Sequence, residues 1–187
     1  MTTERPPRPT LWRTCRAIAN RTRLRIFGLL VEQPALTVSA VAAEIGLPDS
    51  IASEYLRALE ARGLLTVRRA GRRVEYRLSS APSGNPAHGL VAAMRLVFQR
   101  EAQPVEKLFK LATAFTHPRR IEIFRALQTG PGTHGQLHAA TRVPSRALQR
   151  HLKKLVGRGF VECQLGRYGV AARSDAFGRE LARLAIE

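Results

Sequence analysis

Residues 144–158 contain Ser145, Arg146, Gln149, Arg150, His151, Lys153 and Arg158, interleaved with Leu148, Leu152 and Leu155. Leucines at steps of four and three form one buried stripe of a helix, so the polar set stands on its remaining surface. Arg offers paired donors that match the two major-groove acceptors of guanine, and Gln offers the donor and acceptor that match adenine. Lys153 and Arg158 suit phosphate. A second concentration of charge is Arg68, Arg69, Arg72, Arg73 and Arg77, five arginines within ten residues, a density suited to a polyanionic backbone. A further stretch, 48–62, mixes Ser50, Ser53 and Arg57 with Asp49 and Glu54. A carboxylate there is repelled by phosphate, although one facing cytosine can accept from its amino group.

The net charge agrees with this chemistry. The 187 residues include 31 Lys plus Arg and 14 Asp plus Glu, which leaves +17 and an isoelectric point near 11.6. Divided at Val97, the first part has 15 basic and 7 acidic residues and the second 16 and 7, so the parts carry +8 and +9. Arg outnumbers Lys 27 to 4, the mark of a compositional habit. Such a habit alone would leave the net charge near zero, and a polyanionic partner, double-stranded DNA, is the expectation. The opening MTTERPPRPT has no apolar stretch of the kind a signal peptide needs, and no apolar run reaches membrane-spanning length. A cytoplasmic, nucleoid-associated protein with no membrane partner is therefore expected. Cys15 and Cys163 are too far apart in the chain to suggest a disulfide framework.

The elements that must carry these residues are written twice. NRTRLRIFGLL at 20–30 recurs as HPRRIEIFRAL at 117–127, an offset of 97, and the stretch 48–65 recurs at 144–161, an offset of 96. In the first copy the periodicity predicts helices over 11–19, 22–32 with Thr22 as cap, 38–45 capped by Thr37 and ended by Gly46, and 48–62. Strands over 64–68 and 73–78 follow, joined by a tight turn. SSAPSGNP at 79–86 is a connector. Apolar-faced helices over 88–103 and 104–115 lie between the copies. The second copy repeats the order, with helices over 118–128, 134–141 and 144–156, strands over 160–165 and 168–173, and a last helix capped by Ser174 and running to Ile186. The expected fold is mainly α with small β-hairpin wings, arranged as tandem winged helix-turn-helix domains that form a pseudo-dimer. Its divisions are a first domain over 1–86, connecting helices over 87–116 and a second domain over 117–187.

The stretches AIANRTRLRIFGLL and AAEIGLPDSIASEYLRALEARGLLTVRRAGRRVEYRL, with HPRRIEIFRAL and VPSRALQRHLKKLVGRGFV in the second copy, make the chain resemble the ArsR-type bacterial repressors along nearly its whole length. The resemblance implies a DNA-binding transcriptional regulator, a repressor, whose recognition helices over 48–62 and 144–157 enter adjacent major grooves while its wings touch the backbone. Relatives of this type carry one such domain and dimerise through terminal helices. Here the second copy stands in for the second subunit, which leaves further homodimerisation open and permits a non-palindromic site. Glu54 stands where the family usually has a basic residue.

Many ArsR-type relatives bind metal through paired cysteines in the helix before the recognition helix, and the matching stretches VSAVAAEI and HGQLHAA contain none. His134 and His138 share a face but lack a third ligand, so no metal and no cofactor is expected. Of the thiols, Cys15 beside Arg13 and Arg16 is the better redox candidate, and burial is expected of both. There is no phosphate-cradling glycine loop, nucleophile elbow or metal-hydrolase helix, which argues against an enzyme. Met94, Phe98, Phe109 and Phe115 are the residues that would line a small-molecule effector pocket between the copies. The alternative class is a nucleoid-architectural, replication-associated or protein-interaction tandem winged-helix module.

Overall fold

The computed structural model describes residues 10–71, 73–80 and 86–187. Arg72, residues 1–9 and most of the 79–86 connector therefore lie outside the described residues. One order of elements occurs twice. The first run is α1 (Leu11–Ile18), α2 (Arg21–Glu32), β1 (Leu36–Thr37), α3 (Val38–Ile45), α4 (Asp49–Glu60), β2 (Leu65–Ala70), β3 (Arg73–Leu78) and α5 (Pro86–Arg100). The second is α6 (Pro104–Ala112), α7 (Pro118–Ala126) with a 3-10 turn at Leu127–Thr129, β4 (Gly132–Thr133), α8 (His134–Thr141), α9 (Ser145–Gly157), β5 (Val161–Gln164), β6 (Arg167–Val170) and α10 (Ala176–Ile186).

Both sheets are three-stranded and antiparallel, in the orders β1-β3-β2 and β4-β6-β5. The strands β1 and β4 were not expected. Two residues are too few to show alternation in sequence, and they become strands only because a hairpin edge is present to pair with them. The first hairpin makes the expected tight turn, Ala70 pairing with Arg73, and in the second the turn is Leu165 and Gly166, with Gln164 pairing with Arg167, so that Leu165 leaves the expected strand and Arg167 joins one. Gly71, Leu165 and Gly166 have φ of 60°, 49° and 76°, the positive values that a two-residue turn demands. The strand β6 ends at Val170 rather than 173, because Arg173 turns away to hold Asp175 at 2.5 Å.

Two caps differ from expectation. Asn20, not Thr22, caps α2, its Oδ1 accepting from Arg23 N at 2.9 Å. Asp175, not Ser174, caps α10, accepting from Gly178 N at 2.6 Å. In both cases the role falls to the Asn or Asp that stands immediately before the first helical residue, Arg21 or Ala176. Thr37 and Gly46 cap α3 as expected, Gly46 at φ 74°.

A single core runs through both copies. In the first it is built on Ile18, Leu24, Phe27, Leu56 and Leu64, and in the second on Phe115, Phe124, Leu152 and Phe160. Phe115 meets the edges of Phe124 and Phe160 at 5.2 and 4.7 Å between ring centres. The copies join where α5 packs on α10 and α1 on α6, and α6 also packs on α2. Met94 and Phe115 are completely buried in this core. The four residues expected around an effector pocket therefore do not line one accessible cavity; Phe98 stacks on Phe27, and Phe109 lies under the Arg21 guanidinium at 4.0 Å. Among the described residues, no helix is long and apolar enough to cross a membrane.

Candidate nucleic-acid interface

The second helix-turn-helix is fixed by side chains that bond its backbone. Thr133 and Gln136 form a reciprocal capping box at the start of α8. His138 Nδ1 lies 2.7 Å from the Val143 carbonyl, and His134 Nε2 lies 3.3 Å from that of Ser145. The two histidines thus tie α8 to the turn and to the first residue of α9. Among the described residues no group of three or more His, Cys, Asp or Glu is placed to hold a metal ion.

The buried row Leu148, Leu152 and Leu155 seats α9 on the core and leaves Ser145, Arg146, Gln149, Arg150 and Lys153 exposed. These five form one continuous donor-rich surface. The remaining two residues expected in this set face elsewhere. His151 stacks on His117 at 4.8 Å, and its pKa is pushed down to about 4, first by burial and then by the charges of His117, Arg120, Arg150 and Arg119. Arg158 is half-buried, its Nε donating to Thr113 Oγ1 at 2.7 Å, while its carbonyl accepts from Arg173.

The first recognition-position helix, α4, has the same buried arrangement, Ala52, Leu56 and Leu59, and a different face. Asp49, Ser50, Glu54 and Arg57 are exposed and Ser53 is half-buried. Arg57 donates through Nε and Nη2 to Ser53 Oγ at 3.2 and 2.8 Å. The 96-residue offset aligns Ser50 with Arg146, Ser53 with Gln149, Glu54 with Arg150 and Arg57 with Lys153.

Alternation divides the arginines of the first wing. Arg68 and Glu75 are cross-strand partners, and Arg73, Glu75 and Arg77 share their face of the hairpin. Glu75 lies 3.6 Å from Arg73 and 3.2 Å from Arg77, so it partly neutralises that face. Arg69 stands on the opposite face as the partner of Val74, and both Arg68 and Arg69 are exposed with no ion pair among the described residues. In the second wing Arg167 is exposed and donates to the Pro131 carbonyl at 2.7 Å.

The thiol expectations are corrected. Cys15 is fully buried and burial drives its pKa far up, so it is a neutral core group rather than a redox candidate. Arg13 and Arg16 lie over Trp12 instead, at 5.0 and 5.8 Å. Cys163 is exposed rather than buried, because it lies on the outer edge strand β5.

One recurring device escaped sequence reasoning. Arg23 Nη2 donates to the Arg16 carbonyl at 3.1 Å and Arg120 Nη2 to the Thr113 carbonyl at 3.2 Å. Donor and acceptor are both displaced by 97 positions between the copies. Each arginine closes the end of the helix before α2 or α7, and burial lowers the pKa of both. The signal was present in NRTR and HPRR, where the arginine keeps its place while its neighbours change. Arg173, stacked on Phe160 at 4.5 Å and paired with Asp175, had no counterpart to reveal it.

A family model described as a helix-turn-helix domain matches residues 18–68 and again residues 115–164. The HTH-type transcriptional regulator Rv0324 of Mycobacterium tuberculosis (strain ATCC 25618 / H37Rv) is 31% identical over 195 residues, a span that covers 92% of this chain and 82% of that protein. The two matched segments begin at 18 and 115, again 97 apart.

Proposed function

Because the chain belongs to the helix-turn-helix domain family, we propose that it is a non-enzymatic, sequence-specific transcriptional repressor of the ArsR type that occupies double-stranded DNA as a single-chain pseudo-dimer. The observation that carries this reading is the pairing of α5 with α10 and of α1 with α6. By the order of the repeat α5 meets its counterpart α10 and α1 its counterpart α6, as happens across a twofold axis between identical subunits, while the packing of α6 on α2 has no equally strong α1–α7 equivalent. The functional division then falls between α5 and α6, and each copy keeps a terminal helix at either end. Two linked heads suit half-sites one helical turn, about 34 Å, apart.

In this reading Arg146, Gln149 and Arg150 of α9 read base edges and Lys153 holds phosphate. Arg68 and Arg69 of the first wing supply backbone affinity, with Arg167 in the second wing. The protein works in the cytoplasm, on the nucleoid.

The test is selection from randomised duplexes at two salt concentrations, with the mass of the complex measured in the same buffer. One chain per enriched duplex, with a motif that Arg150→Ala blurs, is the expected result. Tight but motif-free binding that fades with salt favours an architectural role instead. Two chains on every enriched duplex would break the pseudo-dimer.

A further inference from the structure

Glu54 occupies, on α4, the place that Arg150 occupies on α9, and both are exposed on the surface opposite their buried rows. A glutamate on a basic protein ordinarily finds a cation nearby, and the nearest on its own helix is Arg57, three residues on. That guanidinium is committed to Ser53 Oγ through two donors. Arg23, the cation that reaches α4 from α2, lies over the Tyr55 ring at 5.8 Å and donates to the Arg16 carbonyl. Arg23 is close enough to feel the charge of Glu54, but among the described residues the two form no ion pair, and Glu54 presents an acceptor-only group where α9 presents a donor-only one.

We infer that Glu54 is a specificity-determining residue that reads cytosine, so that the DNA site has unlike half-sites at the base pair where Arg150 reads guanine. This rests on the DNA-binding reading above. A carboxylate in the major groove needs an amino donor, which guanine and thymine lack there. Adenine offers N6 but sets the N7 acceptor beside it, which repels the second carboxylate oxygen. Cytosine offers N4 with only a C–H beside it. Arg150 selects the guanine acceptors by the opposite logic. In a symmetric site the two heads would meet the same base on corresponding strands. Glu54 against Arg150 instead requires cytosine against guanine, a difference that two identical subunits could not impose and one tandem chain can.

The experiment is motif selection with the full chain as wild type, Glu54→Arg, Glu54→Gln and Glu32→Gln, the last as an exposed carboxylate control at the end of α2, outside the recognition helices and wings. Wild type should enrich two half-sites, with cytosine in one at the position aligned with guanine in the other, preferred on the order of tenfold. Glu54→Arg should change that cytosine to guanine and make the pair symmetric, Glu54→Gln should change it to adenine, and Glu32→Gln should leave it as it was. A wild-type motif with guanine in both half-sites, with one half-site only, or with a base at that position indifferent to both Glu54 variants overturns the assignment and leaves the regulator reading standing. No enriched motif with wild type overturns both.

Discussion

The helices α4 and α9 are one design on the inside and two on the outside. Both seat on the core through apolar rows at the same repeat positions, Ala52, Leu56 and Leu59 against Leu148, Leu152 and Leu155. Outside, α4 sets Asp49, Glu54 and Glu60 against the lone Arg57, whereas α9 carries Arg146, Arg150, Lys153 and Lys154 and no acid. The buried row is constrained because it must fill the same space in both copies. The exposed face is constrained only by what it touches, and two heads in one chain are free to touch different things. In the wings the balance reverses, with the longer and more basic hairpin attached to the more acidic helix. In the function proposed, copy one holds a polyanion more than it searches it, and copy two the reverse.

The largest effect should come from the inside. The aromatic cluster of the second copy, Phe115, Phe124 and Phe160, stands where the first has Ile18, Phe27 and Leu64. Phe115→Ala removes a fully buried ring with two edge contacts, which should cost about 3–5 kcal/mol. In a chain of this size the melting temperature should fall by on the order of 10 °C. Because the core is continuous between the copies, the loss should appear as one shifted transition in calorimetry. Two separated transitions, with only one moved, would mean that the copies unfold independently.

Next in size is the division of labour between wing and helix. Removing Arg68 and Arg69 together should weaken binding to every duplex alike and flatten the dependence of log affinity on log salt by about 2. Removing Arg73 and Arg77 should do less, since Glu75 already holds both. A salt slope unchanged by the first pair would mean that these arginines hold no phosphate, and a motif altered by their removal would show that the first copy reads sequence through its wing.

The repeat made the duplicated architecture legible, because apolar spacing and turn residues survive in both copies at a fixed offset. The exposed polar face of α9 was legible too: its leucine row leaves the polar residues only one place to go. What sequence could not give were contacts made between elements. His151 and Arg158 read as neighbours of Arg150 and Lys153 along the chain, yet a helix turns each toward a different surface, and theirs meet His117 and Thr113. The arginine density of the wing concealed the pairing with Glu75, which depends on strand register. Cys15 looked activated by its sequence neighbours, when burial decides its state.

The smallest expected effect separates the copies by acidity. His151 and Tyr55 are repeat equivalents, His151 packed on His117 and Tyr55 under Arg23, so that only the second copy sets an imidazole at this place. Its folded pKa of about 4 lies below its ordinary 6.5, so between these values the unfolded chain binds a proton that the native state refuses. Stability contributed by the neutral ring is complete above pH 6.5 and is lost as pH falls toward 4. His117, also depressed by burial and by Arg120 and Arg119, acts in the same direction. His151→Gln should therefore show a shallower decline in urea midpoint between pH 7 and roughly pH 4 than wild type, whereas Tyr55→Phe should keep the wild-type slope. The carboxylate of Glu106, held low by Arg21, titrates equally in all three proteins and cancels from the comparison. Parallel curves for wild type and His151→Gln would mean that the imidazole pair is protonated in the native state, with the ring turned out toward solvent and the exposed face of α9.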